Sequence, residues 1–210
     1  MKPDVYSYEP AKGHGLRHDP IPSILAPRPI GWISSCSADG RRNLAPYSFF
    51  NVFNYKPPIV AFSSVGWKDT VRNVTETGEF VVNLAVRRLA EHVNLTSKPV
   101  RSDVDEFAIA HLTPSPCSLV SGPRVQESPV SLECRVIKVE QLHTLSGEKL
   151  ETWMVMGEVI AVHIQAELIR DGSFDTIGAQ PILRGGGAAD YFEINEKCLF
   201  KLERPGASAR

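Results

Sequence analysis

Apolar positions along this chain fall into short runs separated by proline, glycine and small polar residues. Val130-Ser131-Leu132-Glu133-Cys134-Arg135-Val136 alternates, so one face of an extended strand is apolar. The phase slips at Val136-Ile137 and alternation resumes through Val139, which predicts a β-bulge. Residues 153–164 form a second long apolar stretch. Ser146-Gly147-Glu148 lies in the connection, so the pair reads as one long hairpin. Shorter strands are predicted over residues 29–35, 43–50, 59–62 and 80–84, with Ala38-Asp39-Gly40 as the turn between the first two. Pro46 cannot donate to a β-ladder, so its strand must be an edge, bulged or interrupted one.

Helical patterning is scarce. Residues 69–77 place Val71 and Val74 on one side, with Asp69 as N-cap and Gly78 beyond the last turn. Residues 89–95 form a second, with Leu89, Val93 and Leu95 apolar. The fold expected is mainly β: an antiparallel barrel with a few short helices on its rim. A parallel α/β fold would need long helices between the strands. The organisation expected is a polar, proline-marked arm over residues 1–27 lying across the body, a domain over 28–200, and a frayed tail from residue 201 to 210. At 210 residues the chain is long enough to bury a sizeable core.

The net charge of −1 removes the general basic field of a nucleic-acid binder, although a local basic pocket remains open. No apolar run is long enough for a membrane helix, and the first residues carry no apolar leader core, so a cytoplasmic protein is expected. Cys36, Cys117, Cys134 and Cys198 have no C-x-x-C or zinc spacing, and read as reduced thiols. The six histidines form no H-E-x-x-H or H-x-H pattern, so no metal site is expected. Gly185-Gly186-Gly187 lacks the G-x-G-x-x-G frame and reads as a flexible turn. No G-x-S-x-G elbow is present.

Chemistry concentrates in Ser63-Ser64-Val65-Gly66-Trp67-Lys68-Asp69-Thr70. A buried strand ends there, hydroxyls and a glycine follow, and a lysine stands directly before a helix. A helix N-terminus offers free N–H groups and partial positive charge, so the place suits a phosphate. The same residues also read as a capped helix with a solvated lysine. In Asn43-Leu44-Ala45-Pro46-Tyr47-Ser48-Phe49-Phe50-Asn51 the proline leaves backbone groups free to meet the polar edge of a flat heterocycle. A proline-interrupted edge strand with aromatic core residues reads equally. His163, in an apolar strand, is a core residue or an outlying catalytic candidate.

In order and spacing, several segments resemble the flavin reductase-like family, the FMN-binding split β-barrels related to flavoredoxin. They are Arg28-Pro29-Ile30-Gly31-Trp32-Ile33-Ser34-Ser35, the 43–51 segment, Pro57-Pro58 through Ser63-Ser64, Lys68-Asp69-Thr70 with Asn73, Gly78-Glu79-Phe80-Val81-Val82-Asn83, and Gly157-Glu158-Val159. Together they span residues 20–195. The resemblance implies a Greek-key antiparallel split barrel, non-covalent FMN, a homodimer with the flavin near the interface, and reduction by NADH or NADPH.

Carried onto this chain, the resemblance puts the phosphate at Ser63, Ser64, Lys68, Asp69 and Thr70, and the ring along Trp32, Ile33, Ser34, Asn43, Ala45, Pro46, Tyr47 and Ser48. Trp32 packs on the ring, on the partner subunit or in the core. Gln180 stands where the family often has arginine, while Arg184 remains as an anion contact or a surface ion pair. Hydride transfer to a flavin needs no protein acid or base, so His163 is only a candidate for a nicotinamide or substrate contact. An FMN-containing electron carrier without pyridine-nucleotide activity is the alternative function. A barrel for another ligand, such as pyridoxal phosphate, haem or a deazaflavin, is a third.

Overall fold

The computed structural model describes residues 4–203 and 205–206. Its centre is a seven-stranded antiparallel sheet of β1 (Gly31–Cys36), β2 (Arg42–Tyr47), β3 (Phe50–Tyr55), β4 (Pro58–Val65), β5 (Glu79–Leu84), β6 (Val130–His143) and β7 (Lys149–Ile164). The spatial order is β2-β1-β5-β6-β7-β4-β3. The two edge strands are consecutive in the chain, joined through Ser48 and Phe49. The sheet therefore curls until its edges approach, and the Ser63 N–H donates to the Phe49 carbonyl at 2.9 Å beside the seam. This is a mainly β, split-barrel fold, as expected.

The expected 43–50 strand is in fact two, broken at Ser48-Phe49 where the chain leaves one sheet edge for the other. Pro46 sits on edge strand β2, opposite Trp32 of β1, where its missing N–H faces no further strand. The predicted bulge is present. Met156 pairs with Lys138 and Gly157 with Val136, so Ile137 is the extra residue. Beside it, a Cβ on Gly157 would lie 2.4 Å from Phe80 Cε1 and 3.1 Å from the Arg135 carbonyl. Only glycine lets β7 pass the buried Phe80 ring at that point.

Helix α1 (Asp69–Thr77) connects β4 to β5 and ends at Gly78 in the left-handed region, φ 71°. Its N-cap is Lys68 rather than the expected Asp69, and no side chain caps it. Asp69 is instead the first helical residue, and its carboxylate is held by Arg72 Nη1 at 2.6 Å. The second expected helix begins as a 3-10 turn, Arg87–Leu89, and continues as α2 (Ala90–Leu95). A short α3 (Glu106–Ile109) follows.

Strand alternation divides the core in two. Ile33, Phe62, Phe80, Cys134 and Val155 fill the barrel, closed by Val74 of α1. Trp32 and Leu44 face outward beneath Val86, Leu89, Val93 and Phe107. Between the layers Asn83 is fully satisfied: its amide donates to Trp32 O and Ser34 Oγ, and its Oδ1 accepts from Val125 N–H and Ser131 Oγ. Each bond is worth only about 1 kcal/mol net, but leaving such a group unpaired costs more, so the network fixes one register.

A small sheet joins Arg28–Pro29 to β8 (Ile182–Arg184) and β9 (Tyr191–Glu193). The glycine run at 185–187 follows β8, tied by Gly185 N–H to Asp190 O and by Gly187 N–H to the Asp190 carboxylate. Arg28 links the short helical turn before it to this loop, donating to Pro22 O and Gly185 O. The four cysteines are free thiols. Of the tail, Arg204 and residues 207–210 lie outside the described residues.

Candidate functional site

A cavity of about 490 Å³ opens where edge strand β2, the end of β4, the start of α1 and the 96–100 loop converge. It brings together Asn43, Ala45, Pro46, Tyr47 and Ser48 from β2 and its end, Ser63 from β4, and Lys68, Asp69 and Thr70 from α1. The β2 and α1 residues are at least 20 apart in sequence, and only barrel closure makes them neighbours. The volume falls within the range typical of small-molecule sites.

The α1 end of the cavity is electropositive. Its first N–H groups have no side-chain cap, and Lys68 forms no ion pair among the described residues. Asp69 does not oppose an anion with full charge, because Arg72 neutralises it. Thr70 Oγ1 accepts from Asn43 Nδ2 at 2.8 Å, and Asn43 also reaches Ser35 Oγ at 3.3 Å. This ties the edge strand to the helix start.

Tyr47 carries the decisive peculiarity. Its side chain is 6% exposed and its ring packs on Phe62 at 4.8 Å. The hydroxyl lies beside Thr70 and Ser64, whose hydroxyls favour its ionised form, but neither completes a well-formed hydrogen bond with it, so it is a buried polar atom without a well-aligned partner. Burial pushes its pKa up, and it stays a neutral donor. An orphaned donor beside an uncapped helix N-terminus and a lysine fits the phosphate end of a flavin nucleotide.

Glu106 borders the same cavity and was not singled out from sequence. Its Oε2 accepts the Leu44 N–H at 3.2 Å, while the side chain is buried. Burial raises its pKa, and the Asp69 and Asp105 carboxylates add to the effect. Trp67 and Lys98 are among the further unanticipated neighbours. The signals available were a tryptophan inside the polar 63–70 segment and a polar Thr96-Ser97-Lys98-Pro99 stretch after the second predicted helix.

Five expected contacts do not border the cavity. Trp32 is fully buried in the outer core, donating through Nε1 to Thr96 Oγ1 at 2.9 Å. Ile33 fills the barrel, and Ser34 donates to Pro123 O at 2.5 Å. The physical reason is shared: β1 is one strand in from the edge, so β2 and β5 take both of its flanks, and its two faces lie against the two core layers. Ser64 turns inward to Gly66 O at 3.0 Å, whereas its neighbour Ser63 faces the cavity. Arg184 is spent on its own loop, donating to Asp190 O and Ala188 O, with its guanidinium 5.0 Å from the Tyr191 ring centroid.

His163 is also away from the cavity wall. Its Nε2 meets Glu133 Oε1 at 2.5 Å. Glu133 is buried and accepts N–H bonds from Ser118, Leu119 and Val120. Burial works against its charge, but the Ser118 N–H, His163 and the Leu119 N–H outweigh it and hold the carboxyl below its ordinary value. The pair anchors the 116–121 loop to the sheet.

The flavin reductase-like domain matches residues 25–178. The chain belongs to the flavin reductase-like family. A relative from Halalkalibacterium halodurans is 36% identical over 190 residues, covering 88% of each chain. One from Aquifex aeolicus is 42% identical over 135 residues, 60% of this chain and 69% of that protein. Among solved structures, nitrilotriacetate monooxygenase component B from Bacillus cereus superposes with TM-score 0.83 at 28% identity, over 94% of this chain and 98% of that one. The 2-nitrobenzoate 2-nitroreductase of Pseudomonas fluorescens gives 0.78 at 28%, over 90% and 92%. This flavin reductase-like protein is thus a flavin-related oxidoreductase. No helix among its described residues is long and apolar enough to cross a membrane.

Proposed function

We propose that the protein binds FMN non-covalently in this cavity and reduces it with NADH or NADPH. The observation that carries the reading is the α1 N-terminus: uncapped, facing the cavity, flanked by Lys68 and by the partnerless Tyr47 hydroxyl. Lys68, Thr70 and the first α1 N–H groups hold the phosphate. The interrupted strand through Ala45, Pro46, Tyr47 and Ser48 meets the ring's polar edge. Bound flavin supplies the hydride-accepting centre, and the protein supplies orientation and exclusion of water. Tyr47 packed on Phe62 gives β2 a rigid backing for that task.

The functional unit is a homodimer. Val52, Phe53 and Tyr55 of β3, with Ile137 and Val162 on β6 and β7, leave apolar side chains in water. Phe49 contributes to this exposed surface, whereas Tyr47 belongs to the interior. The four free thiols suit a reducing, cytoplasmic compartment.

The test is an anaerobic titration of FMN-loaded protein with NADH and with NADPH, following flavin absorbance. Bleaching by either nucleotide supports the reading. Bleaching by dithionite alone makes the protein an electron carrier, and a colourless protein that takes up no FMN overturns the flavin assignment. Sedimentation showing only a 23.2 kDa species would overturn the dimer.

A further inference from the structure

The proposed flavin contacts leave two features of the cavity unused. Trp67 is 50% exposed at the rim, an unusual place for an indole. It is nevertheless held: the preceding Gly66 donates its N–H to Glu151 O at 2.8 Å and accepts from Ser64 Oγ at 3.0 Å. The indole contacts Trp153 edge to face, centroids 5.2 Å apart at 73°, which orients the ring and leaves half of the residue open. On the other wall, Lys98 is exposed and forms no ion pair among the described residues. Its loop is ordered by Thr96 Oγ1 on Val93 O and Ser97 Oγ on Asn94 O.

The carboxylates bordering the cavity do not explain Lys98, since Asp69 is paired with Arg72 and Glu106 accepts from Leu44 N–H. One phosphate is already matched by Lys68 and the α1 N-terminus. A held aromatic face on one wall of the cavity and a second free cation on the other suit a flat ring that carries negative charge. We infer that Trp67 and Lys98 form a subsite for a planar aromatic anion, the second reactant, which stacks on the indole while its anionic group meets the lysine. The inference rests on the reading that flavin fills the inner cavity. Two sources share the chemistry: a free aromatic carboxylate, and the adenylate half of a dinucleotide donor.

The experiment is calorimetric titration of the FMN-loaded full chain with benzoate and, separately, with AMP. Flavin loading is read on the same samples from visible absorbance. Binding of either probe is expected, weakened about tenfold by Trp67→Ala and by Lys98→Gln. Trp67→Phe should restore affinity to within about threefold of wild type, because the ring is kept. Added salt should weaken the wild type more than Lys98→Gln. Binding of benzoate alone identifies a free aromatic acid, and of AMP alone a nucleotide. No binding of either probe, or losses below about twofold in both Trp67→Ala and Lys98→Gln, overturns the subsite. Absence of flavin absorbance overturns the flavin reading instead, and the same titrations on flavin-free protein then judge the subsite by itself.

Discussion

Removing the Tyr47 hydroxyl should move stability and flavin binding in opposite directions. The ring packs on Phe62 at 4.8 Å, and a phenylalanine in its place would keep that contact, so no large cavity opens. What disappears is a buried hydroxyl with no hydrogen-bond partner. An unsatisfied buried polar group costs about 1–3 kcal/mol, so flavin-free Tyr47→Phe should be more stable than wild type by about 1–2 kcal/mol. For a chain of this size each kcal/mol moves Tm by roughly 2–4 °C, so melting of the flavin-free protein should rise by a few degrees. With FMN bound, the hydroxyl acquires a phosphate acceptor, and a hydrogen bond to a charged group is worth about 1.5–3 kcal/mol. FMN affinity of the variant should therefore fall by about one to two orders of magnitude. Riboflavin, which has no phosphate, should bind both proteins alike. Thermal melts of stripped protein and fluorescence titrations with FMN and riboflavin decide the matter. A destabilised flavin-free variant would show that the hydroxyl is satisfied. Unchanged FMN affinity would show that the phosphate lies elsewhere.

Lys68→Ala should weaken FMN by about 1.5–3 kcal/mol and leave riboflavin unaffected, read by the same titrations; equal losses for both ligands would place Lys68 away from the phosphate. Glu106 has its pKa raised in the folded state by burial, then by Asp69 and Asp105. Its contribution to stability is therefore full below the ordinary carboxyl range and is lost as pH rises through the elevated value. Glu106→Gln keeps an acceptor for Leu44 N–H without the charge. Relative to wild type it should gain stability at neutral pH but not at about pH 4, a difference that urea melts at the two pH values would reveal or refute. Gly157→Ala forces a Cβ to 2.4 Å from Phe80 Cε1, and should cost about 1–3 kcal/mol in a denaturant melt, whereas a neutral result would mean that β7 can bend away.

Period-two alternation over 130–139, followed by a Ser146-Gly147-Glu148 connection and a long apolar stretch, made the β6–β7 hairpin and even its bulge legible. Shifting a strand by one residue exchanges its faces, so the phase slip at Ile137 is visible without coordinates. Local chemistry likewise determined α1 from Asp69 to Thr77, with Gly78 supplying the left-handed turn that L side chains avoid. The Lys68-Asp69-Thr70 part of the candidate site was legible for the same reason: a helix N-terminus is a local event. Which strand lies at an edge is not local. Trp32, Ile33 and Ser34 carry the same residue types as a site strand, yet β5 covers them on one flank and β2 on the other, while β2, at the sheet edge, keeps a free side towards the cavity. The break at Ser48-Phe49, which joins the two sheet edges and closes the barrel, depends on pairings with strands that lie elsewhere in the chain. Lys98, Glu106 and Trp67 reach one cavity with the 43–48 strand only after that closure. Their meeting is a property of tertiary packing between segments far apart in the chain, and neither periodicity nor capping encodes distances of that kind.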